Sequence, residues 1–134
     1  MDLYFDVGLA NFLLKRFNLV PGDELFGRAF EHWVFQELKA YKDYSGKDYG
    51  LSYWRTTSDF EVDFILGKHE VALEVKAKTH VPAHDFKGLS MFSEEYKVKK
   101  SILVSLEKEP RKVGNISVLP WKMFMEQLWA GEII

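Results

Sequence analysis

Apolar and polar residues alternate most regularly between Glu61 and Ala77. Val62, Phe64 and Leu66 alternate with Glu61, Asp63 and Ile65; after Gly67-Lys68, Leu73, Val75 and Ala77 alternate with Ala72, Glu74 and Lys76. A period of two with a glycine at the reversal predicts a β-hairpin. Leu51 to Thr56 predicts a strand before it, making a three-stranded antiparallel meander. Ser101 to Leu106 is almost wholly apolar and predicts a strand at the sheet centre, and Ile116 to Leu119 a last short one. Helical spacing runs through 6–17, 23–41 and 85–96, and again after Pro120, which is expected in a first helical turn. Asp6 is the expected cap of the first helix, and Asp85 is expected to cap or open the third. The helix over 85–96 then acts as a crossover, so the Glu74 strand and the 101–106 strand should pair in parallel. Glu107 to Asn115 reads as a charged loop.

The hairpin carries the candidate chemistry. Glu74 and Lys76 are two apart and share a face. Asp63 joins them if the reversal has an even number of residues, two (Gly67-Lys68) or four (Gly67 to Glu70); an odd loop would split the set. Two carboxylates and a lysine on one face suit a divalent cation of the Mg²⁺ type, which takes oxygen ligands and keeps several waters. They suit equally an ordinary exposed face with a Glu–Lys pair, worth little. On the 23–41 helix, Arg28, His32, Gln36 and Lys39 form the polar face, while Glu31 and Glu37 intrude on the apolar arc. A carboxylate facing a core is costly unless paired or metal-bound. Glu31 is the natural fourth member of the hairpin site, or else stands at an edge where its carboxylate reaches water; Glu37 would cap a backbone group or pair with Arg55.

Tyr4-Phe5-Asp6-Val7-Gly8-Leu9, Phe26-Gly27-Arg28-Ala29-Phe30-Glu31, Tyr53-Trp54-Arg55, Glu61-Val62-Asp63-Phe64 and Glu74-Val75-Lys76 occur in that order. Asp63 followed by Glu74-Val75-Lys76 resembles the PD-(D/E)XK nuclease signature, with Val62 where the signature has proline. The ordered set resembles the C-terminal domain of unknown function that follows the ATPase core in bacterial and archaeal AAA-type ATPases. The resemblance implies a restriction-endonuclease-like α/β fold and a DNA phosphodiesterase. It implies Mg²⁺ or Mn²⁺ held by Glu31, Asp63, Glu74 and the Val75 carbonyl, with Lys76 activating water. Arg55, Lys78 and Lys87 are the candidate substrate contacts. It also implies that Met1 to about Val20 follows an ATPase core in longer relatives. The alternative is a catalytically silent module that binds DNA or a partner protein for an attached or partner ATPase. Some PD-(D/E)XK branches carry a Gln and a Tyr on the helix after the Lys strand; no such Gln stands in 85–96.

Composition narrows the rest. A chain of 134 residues with 47% hydrophobic and 16% aromatic residues forms one domain with a substantial core. It has no cysteine, which excludes disulfides and thiolate metal sites and suits a reducing cytoplasm. No apolar run approaches the roughly 20 residues of a membrane span, so no membrane partner is expected. A net charge of −2 argues against constitutive DNA binding, so any grip on nucleic acid must be local. No phosphate-binding G-x-x-x-x-G-K-[ST] loop is present, which excludes ATP hydrolysis by this chain. Histidines 32, 69, 80 and 84 show no ligand spacing, and Lys97, Lys99 and Lys100 read as a solvated basic cluster. Trp121 and Trp129, taken as exposed, would support a homodimer.

Overall fold

A computed structural model describes residues 24–134. The expected helix over 6–17, and Asp23, lie outside the described residues. The remaining chain forms a six-stranded mixed sheet flanked by helices. Its elements are α1 (Glu24–Ser45), β1 (Leu51–Arg55), β2 (Glu61–Leu66), β3 (Val71–Lys76), α2 (Lys87–Glu95), β4 (Lys100–Ser105), β5 (Arg111–Val113), β6 (Ile116–Pro120) and α3 (Trp121–Trp129). The strand order is β1-β2-β3-β4-β6-β5.

β1, β2 and β3 form the antiparallel meander, and β3, β4 and β6 run parallel, as the crossover helix requires. Leu66 pairs with Val71, so the hairpin loop is the four-residue, even one. Gly67 enters it with φ 70°, a left-handed conformation that favours glycine.

Two apolar clusters cover the two faces. One joins Phe30, Val34 and Leu38 of α1 to Phe64, Leu66, Leu73, Val75, Val104 and α3. The other packs Leu89 and Phe92 of α2 on Val62, Ile65, Ala72, Leu103 and Val118. Val62 thus faces the same side as Ile65, so the simple alternation expected of β2 fails between them. The register against β1 shifts at the same place: Ser52 pairs with Ile65, but Trp54 pairs with Val62. Two residues of β1 span three of β2, a β-bulge at Asp63-Phe64, and bulges re-aim side chains beside sites.

Other boundaries differ for local reasons. α1 continues four residues past Tyr41 to Ser45, because no breaker occurs before Gly46, whose φ of 71° ends it. Asp85 lies in a 3₁₀ turn (Ala83–Phe86) ahead of α2, and its carboxylate pairs with Lys78 instead of capping the helix. Pro120 ends β6 and stands as the cap of α3 rather than inside its first turn. β5 arises inside the expected loop; three residues beginning Arg-Lys carry no legible period, and a charged, short strand suits a sheet edge. No helix among the described residues is long and apolar enough to cross a membrane.

α2 approaches the sheet through Gly88, where a methyl group would fall 2.1 Å from the Glu61 carbonyl oxygen. Backbone cannot yield there as a side-chain tip does. Gly88→Ala is therefore expected to destabilise the domain by about 1–3 kcal/mol, read as a lower urea midpoint.

Candidate active site at the parting of two strands

The ladder between β2 and β3 runs from Leu66–Val71 to Phe64–Leu73 and stops. Asp63 and Glu74 come next, and their carboxylates take over the bonds that backbone would make. The Asp63 N–H donates to Glu74 Oε1 at 3.2 Å, and the Val75 N–H donates to Asp63 Oδ2 at 2.8 Å. Each acid thus satisfies the backbone of the opposite strand. A strand residue presents its N–H and C=O toward the same neighbour, so the Val75 carbonyl faces this opening too.

Glu74 is almost wholly buried, 3% exposed, among the few polar residues of the interior. Burial, then a hydrogen bond and charge repulsion from Asp63, raise its pKa, while Lys76 pulls it down. That shift favours the neutral, protonated form of Glu74 beside Asp63.

Glu31 approaches from α1 and is half-buried. Burial first, then the charges of Asp63 and Glu61, push its carboxyl up to about 7, against the opposing pull of Lys76. Glu31 and Glu74 each therefore feel the charges of Asp63 and Lys76. Contact is less complete. Among the described residues no three carboxylates or histidines close into a group that would hold a metal ion, and Lys76 makes no ion pair. The donors do fit Mg²⁺ or Mn²⁺ in kind: hard oxygens from Asp63, Glu74 and the Val75 carbonyl. Mg²⁺ binds through one or two carboxylates with waters and substrate phosphate completing its shell.

The candidate substrate contacts fare unequally. Arg55 is exposed and pairs with Glu61 at 2.8 Å, leaving Glu37 without it; burial alone raises the Glu37 pKa. Lys78 is paired with Asp85, which turns it away from a free phosphate-binding role. Lys87 is exposed, lies over the Phe60 ring and lines a surface cavity of about 430 Å³ with His80, Ser90 and Arg111. Trp129 is exposed, as expected, with its ring against Tyr41 and Tyr44, whereas Trp121 is half-buried against Trp33.

A second polar device escaped the sequence reading. Glu107 accepts two bonds from Arg111 at 2.8 and 2.9 Å and one from the Val81 N–H, while Arg111 donates to the Val81 carbonyl. Those bonds hold the Glu107 carboxyl down at about 2. The clip ties the segment after β3 to β5. An i, i+4 spacing was its only signal, and that spacing reads as helical.

A family model described as a domain of unknown function (DUF4143) matches residues 26–124. No curated protein and no solved structure matches the chain.

Two outcomes follow from this geometry. Asp63→Ala strips the Val75 N–H of its acceptor inside the fold and is expected to cost about 1–3 kcal/mol. Asp63→Asn keeps an acceptor oxygen and should lose less, by urea denaturation. For Glu31, the folded chain retains a proton that the unfolded chain releases from about 4.5 upward. Its contribution is therefore full below that value and falls as pH rises through about 7. Glu74 acts with the same sign. Glu31→Gln should make the loss of stability across that interval shallower, though not flat, in a pH series of melts.

Proposed function

The chain belongs to the DUF4143 family, and within that family of unknown function we propose a metal-dependent phosphodiesterase acting on DNA. The observation that carries the reading is the parting of β2 and β3 at Asp63 and Glu74. Acids serve there in place of a backbone ladder, beside a lysine with no ion-pair partner among the described residues.

Mg²⁺ or Mn²⁺, when bound, would acidify a water and offset charge on the phosphoryl oxygens. Asp63, Glu74 and the Val75 carbonyl would hold it. Lys76 donates to the attacking water or to a non-bridging phosphate oxygen, stabilising the charge that builds at phosphorus. Glu31 has a carboxyl poised near neutrality, which suits it to accept the proton of that water, directly or through a second one. The domain then works in the reducing cytoplasm that a cysteine-free chain tolerates, attached to or partnered with an AAA-type ATPase that supplies the motor it lacks.

One observation favours a second reading. The three carboxylates do not close into a metal-binding group, as a module that grips DNA or a partner without cutting would also show.

Plasmid or branched DNA with Mn²⁺ separates the two. The expected result is cleavage by the wild-type chain, falling by at least 100-fold in Asp63→Asn and Lys76→Ala. Equal cleavage by all three, or none by any, removes the catalytic reading.

A further inference from the structure

Tyr53 is one of the most exposed large side chains, 76% accessible, and it stands in the middle of a strand. Among the described residues its ring has no aromatic partner and no hydrogen bond. A single exposed aromatic is ordinary on a protein surface. Its position is what distinguishes it. The pairs Ser52–Ile65 and Trp54–Val62 bracket it, so Tyr53 sits opposite the bulge that carries Asp63. Neighbouring strands are about 4.8 Å apart, which sets the ring one strand from the carboxylate site.

Trp54 packs toward α2, with its ring edge-on to Phe92, while Leu51 packs on the opposite cluster. Alternation puts Tyr53 with Leu51 and Arg55 on the α1 side; Glu74 alternates onto the α2 side with Ala72, but it and Asp63 turn their carboxyls into the gap between β2 and β3, one strand from the ring. Arg55 carries its guanidinium there, held only by an exposed pair with Glu61. Such a pair is worth little and exchanges readily for another anion.

An aromatic ring followed two residues later by an arginine, beside a phosphate-accepting site, matches the way single-stranded nucleic acid is gripped. Bases stack on the ring and cations follow the backbone. We propose that Tyr53 stacks on the base next to the phosphodiester held at Asp63 and Glu74, with Arg55 on the adjoining phosphate, so that the site accepts an unpaired strand in preference to a duplex. In a duplex that base is already stacked and its face is closed to the ring. This proposal rests on the nucleic-acid reading above and adds the form of the substrate.

The test is the fluorescence anisotropy of a labelled oligothymidine, measured with Ca²⁺, which takes the same class of oxygen ligands as Mg²⁺. A gel checks that the strand stays intact. The full chain is compared with Tyr53→Ala and Tyr53→Phe. Both substitutions are at an exposed position and should fold normally. The expected result is an affinity roughly tenfold weaker in Tyr53→Ala, within the worth of one base–aromatic stack, and near wild type in Tyr53→Phe. An abasic oligonucleotide of the same length should bind the wild-type chain and Tyr53→Ala alike. Tight oligothymidine binding that Tyr53→Ala leaves unchanged overturns the stacking role alone. A duplex bound as tightly as the strand overturns the preference. No binding of any strand by the wild-type chain removes this inference and the nucleic-acid reading together.

Discussion

Where β2 and β3 separate, two carboxylates do the work of a backbone ladder, and most of the architecture serves that substitution. An unpaired N–H inside a sheet is costly, so the strands part only because Asp63 and Glu74 satisfy each other's backbone. The four-residue hairpin loop sets the parity that makes them face each other. The bulge at Asp63-Phe64 lets β2 leave the ladder without turning Val62 out of its apolar cluster. The result is two acids pressed together in a nearly closed place, with the pKa of Glu74 raised by burial and by its neighbour. A Glu74 that keeps its proton spares the site a second negative charge in a buried place.

The surrounding elements fix its position from three directions. α1 lays its apolar stripe on one face and delivers Glu31 to the site's flank. α2 comes within contact of the β2 backbone at Gly88, clamping the strand at Glu61, two residues before Asp63. The parallel strands β3, β4 and β6 are buried on both faces and give Glu74 a rigid base. A net charge of −2 means that affinity for a polyanion cannot come from the whole surface. Under the proposed function it would come from local cations such as Lys76, Arg55 and Lys87, since Lys78 is already engaged by Asp85.

Much of this was legible in residue order. Period-two alternation around Gly67 identified the hairpin, and an even loop was the condition on which Asp63 and Glu74 meet. Helical phase put Glu31 on an apolar arc, where a carboxylate needs a reason. The apolar run at 101–106 announced a central strand one residue out of place. What escaped lies where local pattern carries no signal. The bulge in β2 is set by packing against β1 and α2, and the letters Val-Asp-Phe-Ile look regular. β5 is three residues paired at an edge. The Glu107–Arg111 clip and the Lys78–Asp85 pair depend on loops whose course no periodicity describes. Aromatic content announced a large core but not which rings stay outside it: Trp121, expected on the surface, is half-buried, and nothing in the residue order marked Tyr53 as exposed.

The central proposal is that the Asp63–Glu74 pair binds a divalent cation, with Glu74 giving up the proton that its raised pKa favours. Isothermal titration of Mn²⁺ into the wild-type chain and Asp63→Asn at mildly alkaline pH addresses it most directly. The account predicts saturable binding near one cation per chain in the wild type and its loss in Asp63→Asn. No binding at millimolar Mn²⁺, or binding that the substitution leaves intact, would contradict it.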